Sequence, residues 1–83
     1  MSKISIEIQF FGAFRPLGES MNMEIEKGLS LSAFKECFIN QVGSDYALLI
    51  KESAIANNEE VLDETYLLES DMQLSILPPV CGG

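Results

Sequence analysis

Apolar and polar residues alternate through the start of the chain, with Ile4, Ile6, Ile8 and Phe10 set between Lys3, Ser5, Glu7 and Gln9. Strand side chains point to opposite faces with a period of two, so this stretch predicts a strand with one buried face. Met21, Met23 and Ile25 repeat the pattern against Asn22, Glu24 and Glu26. Residues 12–20 between the two runs contain Gly12, Pro16 and Gly18, which predicts a hairpin with a long loop carrying Arg15. The period then changes. Gly28 breaks the second strand, Ser30 or Ser32 offers an N-cap, and Leu31, Phe34, Phe38 and Val42 recur at helical spacing up to a C-terminal glycine, Gly43. Cys37 flanks that stripe and reads as a small buried filler, because free cysteine is among the most buried residue types.

Beyond the helix, residues 46–50 form an apolar run whose type the period does not settle. A short strand is expected over 53–57, turning at Asn58-Glu59 into another around 60–62, and residues 66–68 lead into a turn at Glu69-Ser70-Asp71. The last strand, 72–77, sets Met72, Leu74 and Ile76 against Gln73, Ser75 and Leu77 and runs into Pro78-Pro79-Val80-Cys81-Gly82-Gly83. Leu77 falls on the opposite side from Leu74 and Ile76, which makes it a candidate anchor on an open sheet face. This order of elements resembles the β-grasp of ubiquitin-like proteins, an α+β fold in which one helix covers one face of a mixed sheet. The first and last strands are then parallel neighbours, with everything between them as the crossover. The expected organisation is one domain over 1–77 and an extended tail over 78–83.

Composition narrows the chemistry. A chain of 83 residues is one small domain, and at this size a deep pocket of its own is not expected. Its net charge of −8 disfavours nucleic acid and anionic membranes, which need clustered Lys and Arg, whereas Lys3, Arg15, Lys27, Lys35 and Lys51 are scattered. An acidic surface suits a basic protein partner or simple solubility. Neither a secretory leader nor a membrane span is recognisable, and Cys37 and Cys81 form no CxxC pair, so a cytoplasmic protein is expected. Histidine is absent, which removes the commonest general base and metal ligand. There is no phosphate loop and no zinc spacing. Glu59-Glu60 and Asp63-Glu64 fall in or near predicted turns and read as solvated charge. A self-contained enzyme is not expected, nor a bound metal or cofactor.

The tail remains. Proline fixes φ near −65° and biases the preceding residue towards extended backbone, so the strand should leave straight into a stiff stem. Gly82 and Gly83 have no Cβ and could thread a channel too narrow for other residues. Fully extended, residues 78–83 reach about 20 Å. The bland reading is a frayed end. The active reading takes the terminal carboxylate as an acyl donor that a nucleotide-dependent partner converts to an acyl phosphate or adenylate. A lysine nucleophile then makes the chain a protein modifier; a persulfide sulfur makes it a sulfur carrier.

The ending PPVCGG, with FFGAFRPLG from Phe10 to Gly18, resembles the small, sulfur-carrying subunit of molybdopterin synthase, whose members typically end in PPVxGG. The resemblance spans essentially the whole chain in length and element order. It implies that Gly83 is adenylated by an ATP-consuming activating enzyme and then thiocarboxylated, with Gly82 as its channel-threading neighbour. It further implies that Leu77, Pro78, Pro79, Val80 and Cys81 face the partner, and that the tail enters the large synthase subunit to donate sulfur to cyclic pyranopterin monophosphate. Ile76-Leu77 stand where the family often has aromatic residues, and Ser70-Asp71 where it commonly has Gly-Asp. Cys81 occupies the family's variable position, as a second sulfur relay or simply as a small residue. Sulfur carriers for thiamine or tRNA thiolation, a covalent modifier, and an adaptor with an inert tail stay open as alternatives.

Overall fold

A computed structural model describes residues 2–79. Within them β1 (Lys3–Phe10), β2 (Ser20–Glu26) and β3 (Leu29–Ser30) precede α1 (Leu31–Val42). Then follow α2 (Ala47–Glu52), β4 (Ala54–Ala56), β5 (Leu67–Leu68) and β6 (Met72–Leu77). The main sheet has the order β2-β1-β6-β4, and β3 and β5 form a separate two-stranded ladder. β1 pairs antiparallel with β2 and parallel with β6, while β4 closes the other edge of β6 antiparallel. This is the mixed, helix-covered sheet of a ubiquitin-like β-grasp, as the order of hydrophobic periods predicts.

The alternation in β1 is realised residue by residue: Ile4, Ile6, Ile8 and Phe10 are buried, and across the ladders so are Met23, Ile25, Leu74 and Ile76. From α1, Leu31, Phe34 and Phe38 complete the core, with Val42 half-buried beside it. The Phe38 ring stacks on Phe10 at 6.0 Å and on Phe34 at 6.4 Å. Each fully buried side chain of this size contributes roughly 1.5–3 kcal/mol relative to exposure. Of the two candidate caps, Ser30 is the one used, its Oγ accepting from the Ala33 N–H at 3.2 Å. Gly43 ends α1 with φ 104°, its N–H donating to the Ile39 carbonyl at 2.8 Å. Cys37 is half-buried against the core.

Four local features depart from, or decide, the sequence expectation. The loop after β1 is not irregular: Gly12–Leu17 form a 3-10 helix that drives Phe14 into the core against Phe10 and Tyr46, at 6.4 and 6.1 Å. Residues 46–50 belong to a helical corner, Ser44–Tyr46 followed by α2, which buries Ile50. No second strand forms around 60–62 beyond a single bridge from Ala56 to Val61. The reason is local, since the Asn57 side chain accepts from the backbone N–H of both Glu59 and Glu60 at 2.8 Å and tightens the turn. Lys35, one of the five scattered basic residues, is 5% exposed, which is rare for a lysine that is not paired. Its Nζ donates to the Ser53 carbonyl at 2.9 Å and pairs with Glu64 Oε2 at 2.7 Å, tying α1 to the corner before β4 and to the segment before β5.

Candidate functional site: the root of the tail

Because β1 and β6 are parallel, their C-terminal ends leave the sheet at the same edge, with Phe10 in register with Ile76. Both of these are buried, so the next residue in each strand turns to the opposite face of the sheet. Phe11 stays extended there (φ −137°, ψ 155°) and is 41% exposed. Leu77 is half-buried and paired with Ala54 of β4, so β6 is held by β1 as far as Ile76 and by β4 through Leu77. Leu77 and Phe11 therefore share the face opposite the core, Phe11 being the more exposed of the two.

Pro78 and Pro79 are half-buried rather than fully exposed. Pro78 rests on the start of the 3-10 helix, where Gly12 has φ +55° and a Cβ would stand 3.0 Å from Pro78 Cγ. The two stretches that carry the family resemblance, distant in sequence, thus meet at the root of the tail. Gly12 and Phe11 stand beside the root of the tail, a placement that reading residues singly misses. The signal lay in the strand parallelism, which places whatever follows β1 beside whatever follows β6. Val80, Cys81, Gly82 and Gly83, the other expected site residues, lie outside the described residues.

Elsewhere the surface is poor in chemistry. Among the described residues no cluster of three or more His, Cys, Asp or Glu could hold a metal, and no helix is long and apolar enough to cross a membrane. An open depression of about 320 Å³ is lined by Asn57, Asn58, Glu59, Met72 and Gln73, at the opposite end of β6 from the tail. The start of β6 is fixed by Asp71, whose Oδ1 accepts from the Ser5 N–H at 2.8 Å.

The sequence model of the ThiS family matches residues 8–83, a span that takes in the root and the Gly-Gly ending. This chain belongs to the ThiS family. It is thereby a ubiquitin-like sulfur carrier by family. Comparison with curated protein sequences gives no match. Among solved structures, the chain resembles one assigned as molybdopterin converting factor subunit 1 from Pyrococcus furiosus, with TM-score 0.75 and 16% identity over 93% of this chain and 99% of that one. SAMP1 from Haloferax volcanii superposes with TM-score 0.70 and 14% identity over 95% of this chain and 99% of that one. The ubiquitin of Caldiarchaeum subterraneum gives 0.69 and 14%, over 99% of this chain and 100% of that one. At these identities the three likenesses establish the β-grasp fold of the ThiS-family chain.

Proposed function

We propose that this ThiS-family chain is the sulfur carrier for molybdopterin synthesis, acting in the cytoplasm through Gly83. An activating enzyme consumes ATP: the Gly83 carboxylate attacks the α-phosphorus, pyrophosphate leaves, and an acyl adenylate forms. A persulfide on a sulfur donor displaces AMP to give an acyl disulfide, and a thiol cleaves its S–S bond, leaving the thiocarboxylate on Gly83 and a disulfide on the donor. The chain itself binds no cofactor. Gly82 threads the partner's channel, Val80 and Cys81 line the entering segment, and Leu77, Pro78 and Pro79 meet the rim of the large synthase subunit.

The observation that carries this reading is the family match running through residue 83 across PPVCGG. The prolines and valine favour the molybdopterin type over carriers for thiamine or tRNA thiolation. The root geometry supports delivery of a tail, since a residue that must reach into another protein is better launched from a braced strand than from a frayed end.

Intact mass after incubation with ATP, the activating enzyme and a sulfur source tests the proposal. Replacement of one oxygen by sulfur at Gly83, followed by sulfur transfer with the large subunit, is the expected result. Conjugates of the chain on other proteins would make it a modifier instead, and an unchanged mass would leave it an adaptor.

A further inference from the structure

We propose that Gly12 is a positioning residue for the tail: lacking a side chain, it lets the Pro78 ring seat against a rigid part of the domain, and that seat sets the tail's direction of exit. The inference rests on the sulfur-carrier reading and adds to it a residue outside the tail. The seat is rigid because Phe14, two residues on, is fully buried and stacked between Phe10 and Tyr46, while its N–H donates to the Phe11 carbonyl at 3.1 Å. On the other side β4 holds Leu77 through Ala54. Pro78 cannot rotate φ to escape its neighbour. Gly12 adopts φ +55°, and a Cβ there would come within 3.0 Å of Pro78 Cγ, closer than nine in ten real contacts of that kind allow.

A change of direction at the root grows along the tail. A stretch of five residues, when fully extended, spans about 17 Å, so a tilt of roughly 10° at its root would carry its tip about 3 Å sideways. Misplacement of a reacting group by about 1 Å can cost on the order of a hundredfold in rate. Removing the space at Gly12 therefore acts on the step at Gly83 without touching the reacting atoms or the core.

The test uses Gly12→Asn, since Asn tolerates left-handed φ and leaves the collision with Pro78 as the main change. In the wild-type chain a nuclear Overhauser contact between the Gly12 α-protons and the Pro78 ring is expected. Gly12→Asn should melt within a few degrees of wild type, while kcat for adenylation by the activating enzyme falls about a hundredfold or more and KM moves less than about threefold. Pro78→Ala removes Cγ and Cδ. In the Gly12→Asn background it should bring kcat back to the level of Pro78→Ala alone. Wild-type kcat in Gly12→Asn, or a loss that Pro78→Ala does not relieve, overturns the inference and leaves the carrier reading intact. A wild-type chain that is never adenylated removes the carrier reading and this role for Gly12 with it.

Discussion

Glu64→Ala isolates the one ion pair seen among the described residues, buried on its Lys35 side and open to solvent at Glu64. Lys35 Nζ sits in a side chain 6% exposed and keeps three oxygen partners: Glu64 Oε2 at 2.7 Å, the Ser53 carbonyl at 2.9 Å and the Lys51 carbonyl at 3.5 Å. Removing Glu64 leaves a buried ammonium with one good neutral acceptor and one poor one. Breaking a fully buried pair costs about 3–5 kcal/mol. Glu64, however, is 57% exposed, so water already screens the pair and can replace part of the lost carboxylate. About 2 kcal/mol is therefore expected, equivalent to a fall in melting temperature of roughly 8–16 °C for a domain of this size. Lys35→Met removes the charge and retains most of the buried stem, so it should cost less, about 1 kcal/mol, mainly for the Ser53 carbonyl left without its donor. In the double variant the Glu64 change should add almost nothing, because its partner is gone. Thermal and urea unfolding followed by circular dichroism measure all three. A loss below about 0.5 kcal/mol for Glu64→Ala would mean that the pair behaves as a surface salt bridge and that the burial of Lys35 is sustained by carbonyls alone.

Three further outcomes follow from the tail. Deleting Gly83, or adding a residue after it, should abolish sulfur loading while the circular dichroism spectrum and melting temperature stay unchanged; loading in either variant refutes a mechanism at that residue. Leu77→Asp should weaken binding of the large synthase subunit by about 2 kcal/mol or more, read by titration calorimetry, since truncated or charged central anchors typically cost that much; an unchanged Kd places the contact elsewhere. Cys81→Ser should retain single-turnover sulfur transfer because the acyl carbon belongs to Gly83, and a block specific to Cys81 and absent in Cys37→Ala would instead make it a sulfur relay.

The parts of the fold legible in the sequence are those where one physical signal acts alone. β1, β2 and β6 each bury one face, so period two suffices, and α1 has both a serine cap and a terminal glycine. Where signals compete, the sequence misleads. Pro16 and two flanking glycines make residues 12–18 look like loop, yet Phe14 finds a slot in the core and the turn winds into a helix around it. Lys35 looks like surface charge because nothing local reveals Glu64, 29 positions away, or the Ser53 carbonyl, 18 away. Asn57, by contrast, acts locally, and its effect on the turn agrees with what asparagine does in turns generally.

The candidate site divides along the same line. The chemistry proposed for it rests on consecutive residues at one end of the chain, whereas the contact at its root is not legible in the sequence, because it is assembled by topology. β1 and β6 are parallel neighbours, and a parallel pair must send both ends the same way. The segment after β1 is thus obliged to lie beside the segment after β6, whatever its sequence. Given that adjacency, a Cβ at position 12 would crowd the Pro78 ring, and the turn holds a positive φ that most side chains oppose; Gly12 avoids both. An antiparallel pairing of the same two strands would have placed the end of β6 at the opposite end from Gly12, next to the start of β1. The strand arrangement of the β-grasp, rather than any pocket, is what braces the exit of β6 at Pro78 in this small acidic domain.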